Sequence, residues 1–223
     1  MNMGKKDLRL ERKLQREQQN RHTIIAVAED VFVRKGYNTT SMDDIAAEAQ
    51  FSKATLYRYF KSKSDIFKNI ILNSFLEVQN KVVAIMEKSG GAENRLREYV
   101  GFILSYYRKK ENIIRIFFME TCVLEKIFEV NISKLNSKSA KIMYVPPELK
   151  PVVERILDSV SHIIQEGIDK KEFAPVNPRE ASLVLGALIR GLSFRLPTFS
   201  KDVSIKDNTE LIMNHFLYGV KRK

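Results

Sequence analysis

One short segment of the chain carries several side chains that can donate hydrogen bonds or hold a positive charge. They are Lys53, Thr55, Tyr57 and Arg58. On a helix that buries Leu56 and Phe60, which lie one turn apart, these side chains remain on the outer surface. Lysine can donate to guanine or phosphate, and threonine can donate to a base or pack on a thymine methyl group. This face therefore has the chemistry needed to read the major groove of DNA.

The elements around this segment predict a helix-turn-helix followed directly by another helix. Three serines, Ser41, Ser52 and Ser62, each stand before an apolar helical repeat and can act as an N-cap. Asp44 and Asp65 follow two of these serines by three positions, which is the spacing of a capping box. The pattern predicts helices at 42–49 and 53–59, and a long helix from about 63 to 88.

A further helix over residues 21–35 precedes this motif. It places a row of apolar side chains on one face and ends at Gly36, which can adopt the left-handed conformation of a helix C-terminus. The buried face consists of Ile24, Ile25, Ala28, Val31 and Phe32. Three helices with one shared apolar core are therefore predicted for residues 21–67.

Residues 21–67 resemble the DNA-binding domain of the TetR family of bacterial and archaeal transcriptional regulators. The elements that match in order and spacing are Ala28, Phe32, Gly36-Tyr37, Thr39-Thr40, Ile45-Ala46, Ala49, Ser52, Thr55-Leu56-Tyr57, Tyr59-Phe60, Lys63 and Phe67. The segment IIQEGIDKKEFAPVNPREASLVLGALIRGL resembles late helices of many members, as a weaker signal. Two positions depart from the family. Gln50-Phe51 replaces the usual Gly-Val of the turn, and Ala54 stands where glycine is common.

The resemblance implies a homodimer that places residues 53–59 of each subunit in a major groove of a roughly palindromic operator. Half-sites would be separated by about one helical turn or more. Tyr59 has a second interpretation, because it could equally pack inward. Lys63 should grip phosphate at a helix N-terminus. The predicted DNA-binding residues are Thr40, Ser41, Lys53, Thr55, Tyr57, Arg58, Tyr59 and Lys63.

The remaining chain also has helical periodicity, so the predicted fold class is all-α. A long helix is expected to join the three-helix domain to a larger helical bundle for ligand binding and dimerisation. Predicted boundaries are 1–20 for a flexible basic extension, 21–67 for the DNA-binding domain and 68–223 for the bundle. The bundle helices are expected at 92–109, 111–128, 149–170, 178–195 and 207–221, with 130–147 irregular.

Two clusters in the bundle are candidate binding surfaces. Aromatic and apolar side chains could line a cavity for a lipophilic effector, or form an ordinary core; the predicted set is Phe102, Ile103, Tyr106, Tyr107, Phe117, Phe118 and Glu120. Tyr106 or Tyr107 would supply polar anchors, and Glu120 could oppose a cationic ligand. Both a lipophilic acid or acyl thioester and a lipophilic cation remain open. The predicted dimer interface is Val153, Ile156, Val160, Val184, Leu188 and Leu192.

Composition limits the alternatives. The formal net charge is +11, and residues 1–63 hold 13 Lys or Arg against 8 Asp or Glu, which suits a polyanionic partner. No apolar run has the length of a membrane span, and the first residues lack the apolar core of a signal peptide. A single cysteine, Cys122, fits a reducing compartment, so we expect a cytoplasmic protein with no membrane partner.

An enzyme is the main rival class. The sequence contains no nucleotide-binding glycine motif, no nucleophile elbow and no HExxH motif, so we predict no enzymatic activity and no cofactor. His162, Glu166 and Asp169 stand at near-helical spacing and make a metal site conceivable, although a structural role is more common. The remaining alternative is a helical small-molecule-binding or protein-interaction module whose DNA motif is degenerate.

Overall fold

A computed structural model describes residues 3–119, 121–128, 145–193 and 204–218. Within these ranges the regular structure is helical. The helices are α1 Met3–Lys35, α2 Met42–Glu48, α3 Lys53–Tyr59, α4 Lys63–Met86, α5 Ala92–Lys109, α6 Glu111–Met119, α7 Thr121–Phe128, α8 Lys150–Asp169, α9 Pro178–Ser193 and α10 Ile205–Tyr218. The all-α prediction is confirmed. The irregular segment predicted at 130–147 lies mostly outside the described residues.

The chain folds into two compact units. One comprises Met1–Asn73 and Asn112–Tyr144, and the other comprises Ser74–Glu111 and Val145–Lys223. Helix α4 contributes its first part to the former and its remainder to the latter. We call them the N-terminal unit and the C-terminal unit.

The N-terminal unit is built around an aromatic cluster. The ring of Phe67 on α4 lies 5.4 Å from that of Phe32 on α1 and 5.2 Å from that of Tyr37, with edge-to-face geometry in both pairs. Leu56 and Phe60, the inward residues predicted for α3, are fully buried. This burial fixes which face of α3 points outward.

The beginning of α1 differs from the prediction. Residues 1–20 were expected to form a flexible extension separate from the first helix, but α1 begins at Met3 and runs without a break to Lys35. The segment contains no proline and only one early glycine, Gly4, so nothing in its backbone chemistry interrupts a helix.

In the C-terminal unit, α5 packs against α8, α9 and α10, and α8 packs against α9. An ion pair joins α5 to α8. The buried Arg95 guanidinium lies 2.6 Å from the partly exposed Glu166 carboxylate, and it also donates to the carbonyl of Met86 at 3.1 Å. The turn after α8 folds back, so that Phe173 packs against Gly167 of α8. A side chain at Gly167 would collide with Phe173, since an added Cβ would lie 2.3 Å from that ring.

Candidate DNA-binding surface

A complete capping box begins α2. The backbone N–H of Asp44 donates to the Ser41 hydroxyl at 3.1 Å, and the backbone N–H of Ser41 donates to the Asp44 carboxylate at 2.8 Å. Lys35 lies 2.6 Å from the same carboxylate. The contacts from Lys35 and Ser41 hold the pKa of Asp44 well below its usual range, so this carboxylate stays charged. Ser41 is exposed, but its hydroxyl is engaged in the cap.

The turn between α2 and α3 is a Schellman motif centred on Gln50. Gln50 has a φ of 57°, and its N–H donates to the carbonyl of Ala47 while the N–H of Phe51 donates to that of Ala46. Glycine is the usual residue for this conformation, and a side chain there costs about 1 kcal/mol. The substituted turn therefore keeps the geometry that the helix-turn-helix requires. Phe51 is only half-buried.

Helix α3 presents three of its predicted residues to solvent. Ser52 caps it by accepting from the N–H of Thr55, and Lys53, Tyr57 and Arg58 are exposed. Lys53 lies 2.9 Å from the Asp43 carboxylate, and both side chains are more than half exposed. An exposed pair of this kind stabilises the fold little, because water and salt screen its charges. Lys53 can therefore leave its ion pair with Asp43 and donate to a base edge or a phosphate instead.

Thr55 and Tyr59 have internal partners as well as access to solvent. The Thr55 hydroxyl lies 2.8 Å from that of Ser52, and the Tyr59 hydroxyl accepts from Asn20 of α1 at 3.0 Å and from Arg58 at 3.2 Å. Both side chains are half-buried. Tyr59 thus joins α3 to α1, which matches the second interpretation given to this residue.

Two residues predicted to contact phosphate form hydrogen bonds inside the N-terminal unit. The Lys63 ammonium donates to the backbone carbonyls of Tyr37, Asn38 and Thr40 at 2.8, 3.0 and 2.7 Å, and so holds together the turn between α1 and α2. Thr40 is buried, and its hydroxyl donates to the carbonyl of Gly36. Both side chains therefore have partners inside the N-terminal unit, and their contact with phosphate stays a prediction.

Sequence reasoning missed the residues that anchor α3 from behind. Arg21 on α1 donates to the carbonyl of Tyr59 and to Asn69 on α4, at 3.1 and 2.9 Å, and its guanidinium lies over the Phe60 ring. Asn20 adds the contact to the Tyr59 hydroxyl. Helical periodicity could not reveal these contacts, since both residues have the character of exposed polar positions at the start of a helix.

The residues predicted to line an effector cavity are divided between the two units. Ile103 and Tyr106 are buried in the C-terminal unit, where the Tyr106 hydroxyl donates to the Glu77 carboxylate at 3.1 Å. Phe102 and Tyr107 are half-buried, and burial raises the pKa of Tyr107 to about 12. Phe117 is buried in the N-terminal unit. Glu120 and the side chain of Phe118 lie outside the described residues.

A different cavity is present within the C-terminal unit. It has a volume of about 240 Å³ and is lined by Glu93, Ile164, Glu172, Phe173, Ala174, Val176, Ala181, Phe216, Leu217 and Tyr218. None of the predicted effector residues lines it. Its volume is below the range of about 300–1,000 Å³ usual for small-molecule sites. One lining carboxylate, Glu172, caps α5 by accepting from the N–H of Ala92.

The six predicted interface residues do not share one exposed face. Ile156 and Val160 of α8 are buried, because α8 turns this stripe toward its own unit. Val184 is 54% exposed, and Leu183, which was not predicted, is 46% exposed. Val153, Leu188 and Leu192 are half-buried. Of the six predicted residues, Val184 on α9 is therefore the exposed one.

Among the described residues, no helix is long and apolar enough to cross a bilayer, and no group of three or more His, Cys, Asp or Glu side chains could hold a metal ion. His162 and Glu166 are close, with 3.3 Å between their nearest nitrogen and oxygen, but that carboxylate is already paired with Arg95.

The capped α2, the tight turn and the outward polar face of α3 define a helix-turn-helix of the kind found in DNA-binding proteins. Residues 24–70 match the family described as bacterial regulatory proteins, tetR family. The regulator YfiR of Bacillus subtilis, whose function is uncharacterized, is 30% identical over 155 residues, which cover 70% of this chain and 68% of YfiR. The chain belongs to the TetR family of transcriptional regulators.

Two further similarities extend over most of the chain. The transcriptional regulator QacR of Staphylococcus aureus is 26% identical over 195 residues, covering 86% of this chain and 92% of QacR. The fold is that of FadR from Bacillus subtilis, determined in complex with stearoyl-CoA. That match has a TM-score of 0.67 at 17% identity and covers 90% of this chain and 99% of FadR. Members of this family are DNA-binding regulators and not enzymes.

Proposed function

We propose that this protein is a homodimeric repressor that leaves a palindromic operator when a lipophilic small molecule binds. The observation that carries the proposal is the outward face of α3, where Lys53, Tyr57 and Arg58 are exposed beside a turn of fixed geometry. Thr55 and Ser41 complete this DNA-reading face. Lys53 and Thr55 would meet base edges, and Tyr57 and Arg58 would meet phosphate or base edges.

Dimerisation is supported by the apolar face of α9. Leu183 and Val184 are about half exposed and neighbour the exposed Ala187 and Gly191. A contiguous exposed apolar face on a polar protein marks an interaction surface. In a two-fold dimer the same face meets itself, so both α3 helices would read symmetry-related half-sites.

The effector is proposed to bind at α5, through Phe102 and Tyr107. The Tyr107 phenol is neutral at physiological pH and can donate a hydrogen bond, and burial raises its pKa further. The FadR structure contains stearoyl-CoA, which makes an acyl thioester one reasonable class to test. Linkage requires that an effector lower DNA affinity by the same factor by which DNA lowers effector affinity. Helix α4, which belongs to both units, is the element through which this coupling would act.

Double-stranded DNA, a second copy of the chain and the effector are the proposed partners, and the cytoplasm is the proposed location. Selection of bound sequences from a random DNA pool at physiological salt tests the proposal. We expect a palindromic consensus, with release of the protein by a subset of lipophilic acids, acyl thioesters or cations. A folded, dimeric protein that enriches no sequence would overturn it.

A further inference from the structure

The N-terminal part of α1 carries a row of unpaired positive charges. Arg9, Arg12, Lys13 and Arg16 are exposed, and none of them takes part in an ion pair or hydrogen bond among the described residues. At 3.6 residues per turn, the four side chains project within an arc of about 100° of the helix circumference. Four like charges on one face repel each other, so the row needs a polyanionic partner to be stabilising.

This row lies on the side of α1 that meets α3. Asn20 projects within the same arc, and its side chain donates to the Tyr59 hydroxyl at the end of α3. From Asn20 the row begins about 6 Å away at Arg16 and ends about 16 Å away at Arg9, at 1.5 Å per residue. The charges therefore continue outward from α3 within the same unit, over a length comparable to about three to five base pairs.

The opposite face does not fit a membrane. An interfacial helix needs a continuous apolar stripe opposite its cations. Here that sector holds one leucine, Leu14, together with Glu11 and Gln18, and the exposed Leu8 and Leu10 lie toward its two edges, so polar residues interrupt the apolar stripe. The positive charges lie on one side of the helix, but the opposite side is not continuously apolar. This favours a DNA phosphate backbone over a membrane as the binding partner.

We infer that the helical extension of α1 is a second DNA-contact surface, whose cationic face binds the phosphates that flank the half-site read by α3. The inference rests on the proposed function and extends the DNA segment that each subunit contacts beyond the half-site. The contact is independent of base sequence, since phosphates carry no direct sequence information.

The test uses the full-length protein and the selected operator in two forms, one ending at the consensus and one with about ten additional base pairs on each side. The variant is R9Q/R12Q/K13Q/R16Q, because glutamine retains helix propensity and removes charge. The matched control is K109Q/K150Q/R155Q/K206Q, which removes the same number of charges from exposed positions of the C-terminal unit that have no ion pair with any residue the structure describes. Circular dichroism checks that both remain helical.

We expect the wild type and the control to bind the flanked operator about 10- to 100-fold more tightly than the R9Q/R12Q/K13Q/R16Q variant does. The plot of log affinity against log salt should become shallower by about 2 to 7 in that variant, since the dimer loses eight charges and each phosphate contributes about 0.9 to the slope. On the short operator, the wild type and the variant should bind alike.

Equal affinity and slope for the wild type and the variant on flanked DNA would overturn this inference alone, while leaving the consensus intact. Loss of binding to phosphatidylserine vesicles with unchanged DNA binding would overturn it in favour of a membrane contact. A wild type that selects no sequence would overturn both this inference and the proposed function.

Discussion

The helix-turn-helix and the C-terminal bundle are stabilised in different ways. Helices α2 and α3 each have seven residues, too few to be stable alone, and depend on Ser41, Ser52 and Lys63 for backbone contacts. In the bundle, α5 and α8 have 18 and 20 residues and are held by long apolar stripes and by the ion pair of the buried Arg95. Short elements need specific side-chain partners, whereas long ones need a continuous apolar face.

The largest change in stability is expected at Arg95, a buried charged residue of the bundle. Arg95→Ala should destabilise the C-terminal unit by about 3 kcal/mol, because the packing of the buried Arg95 side chain is lost and the Met86 carbonyl loses a charged donor. Chemical denaturation measures the change. Arg179→Ala is the control, since Arg179 pairs with Asp158 on an exposed face where water screens the charges, and its loss should change the stability much less. Equal losses for the two variants would contradict the importance of burial.

The next effect concerns the outward face of α9. Val184→Asp should weaken the dimer about 100-fold, because each subunit would bury a charge against its symmetry mate. Analytical ultracentrifugation over a range of concentrations gives the dissociation constant. Val83→Asp, at an exposed position on α4, should leave that constant unchanged. If the two variants dimerised equally well, α9 would not be the interface.

A smaller effect is expected at the turn that Lys63 holds. Lys63→Ala should destabilise the N-terminal unit by about 2 kcal/mol, because three backbone carbonyls lose a charged donor. Its DNA affinity should fall, while the slope of log affinity against log salt should change by less than about 0.5. A slope shallower by about 0.9 with unchanged stability would instead support the phosphate contact predicted from the sequence.

The smallest effect is a gain in stability. Gln50→Gly should stabilise the N-terminal unit by about 1 kcal/mol, since glycine adopts a φ of 57° without steric cost. Thermal unfolding measures it. Ala26→Gly, at an exposed position inside α1, is the control and should destabilise the same unit by about 1 kcal/mol. A loss of stability in Gln50→Gly would mean that the Gln50 side chain contributes contacts that outweigh the strain.

The same contrast explains how much could be predicted from the sequence. Ser41 and Ser52 act on backbone groups three positions away, so their roles follow from local spacing, and the bounds of α3 were predicted correctly. Lys63 and Arg21 act on residues more than twenty positions distant, which spacing cannot reveal. Their internal contacts therefore appeared only in the structure.

The packing of the bundle was harder to predict, because the sequence does not distinguish apolar residues of the core from apolar residues of an interface. Ile156 and Val160 on α8 and Val184 on α9 have the same chemistry, but only Val184 faces outward. Periodicity identifies a stripe without saying whether it packs within the subunit or against another one. The division of the aromatic residues between two units was hidden for the same reason.

The most direct test of the central claim is to repeat the DNA selection with Lys53→Ala and compare its consensus with that of the wild type. If α3 reads the operator, the consensus should lose preference at one pair of symmetry-related positions, by about 1–3 kcal/mol per half-site. Lys109→Ala, a change at an exposed site on α5, should leave every position unchanged. An identical consensus for Lys53→Ala and the wild type, at any affinity, would contradict the assignment of Lys53 to base reading.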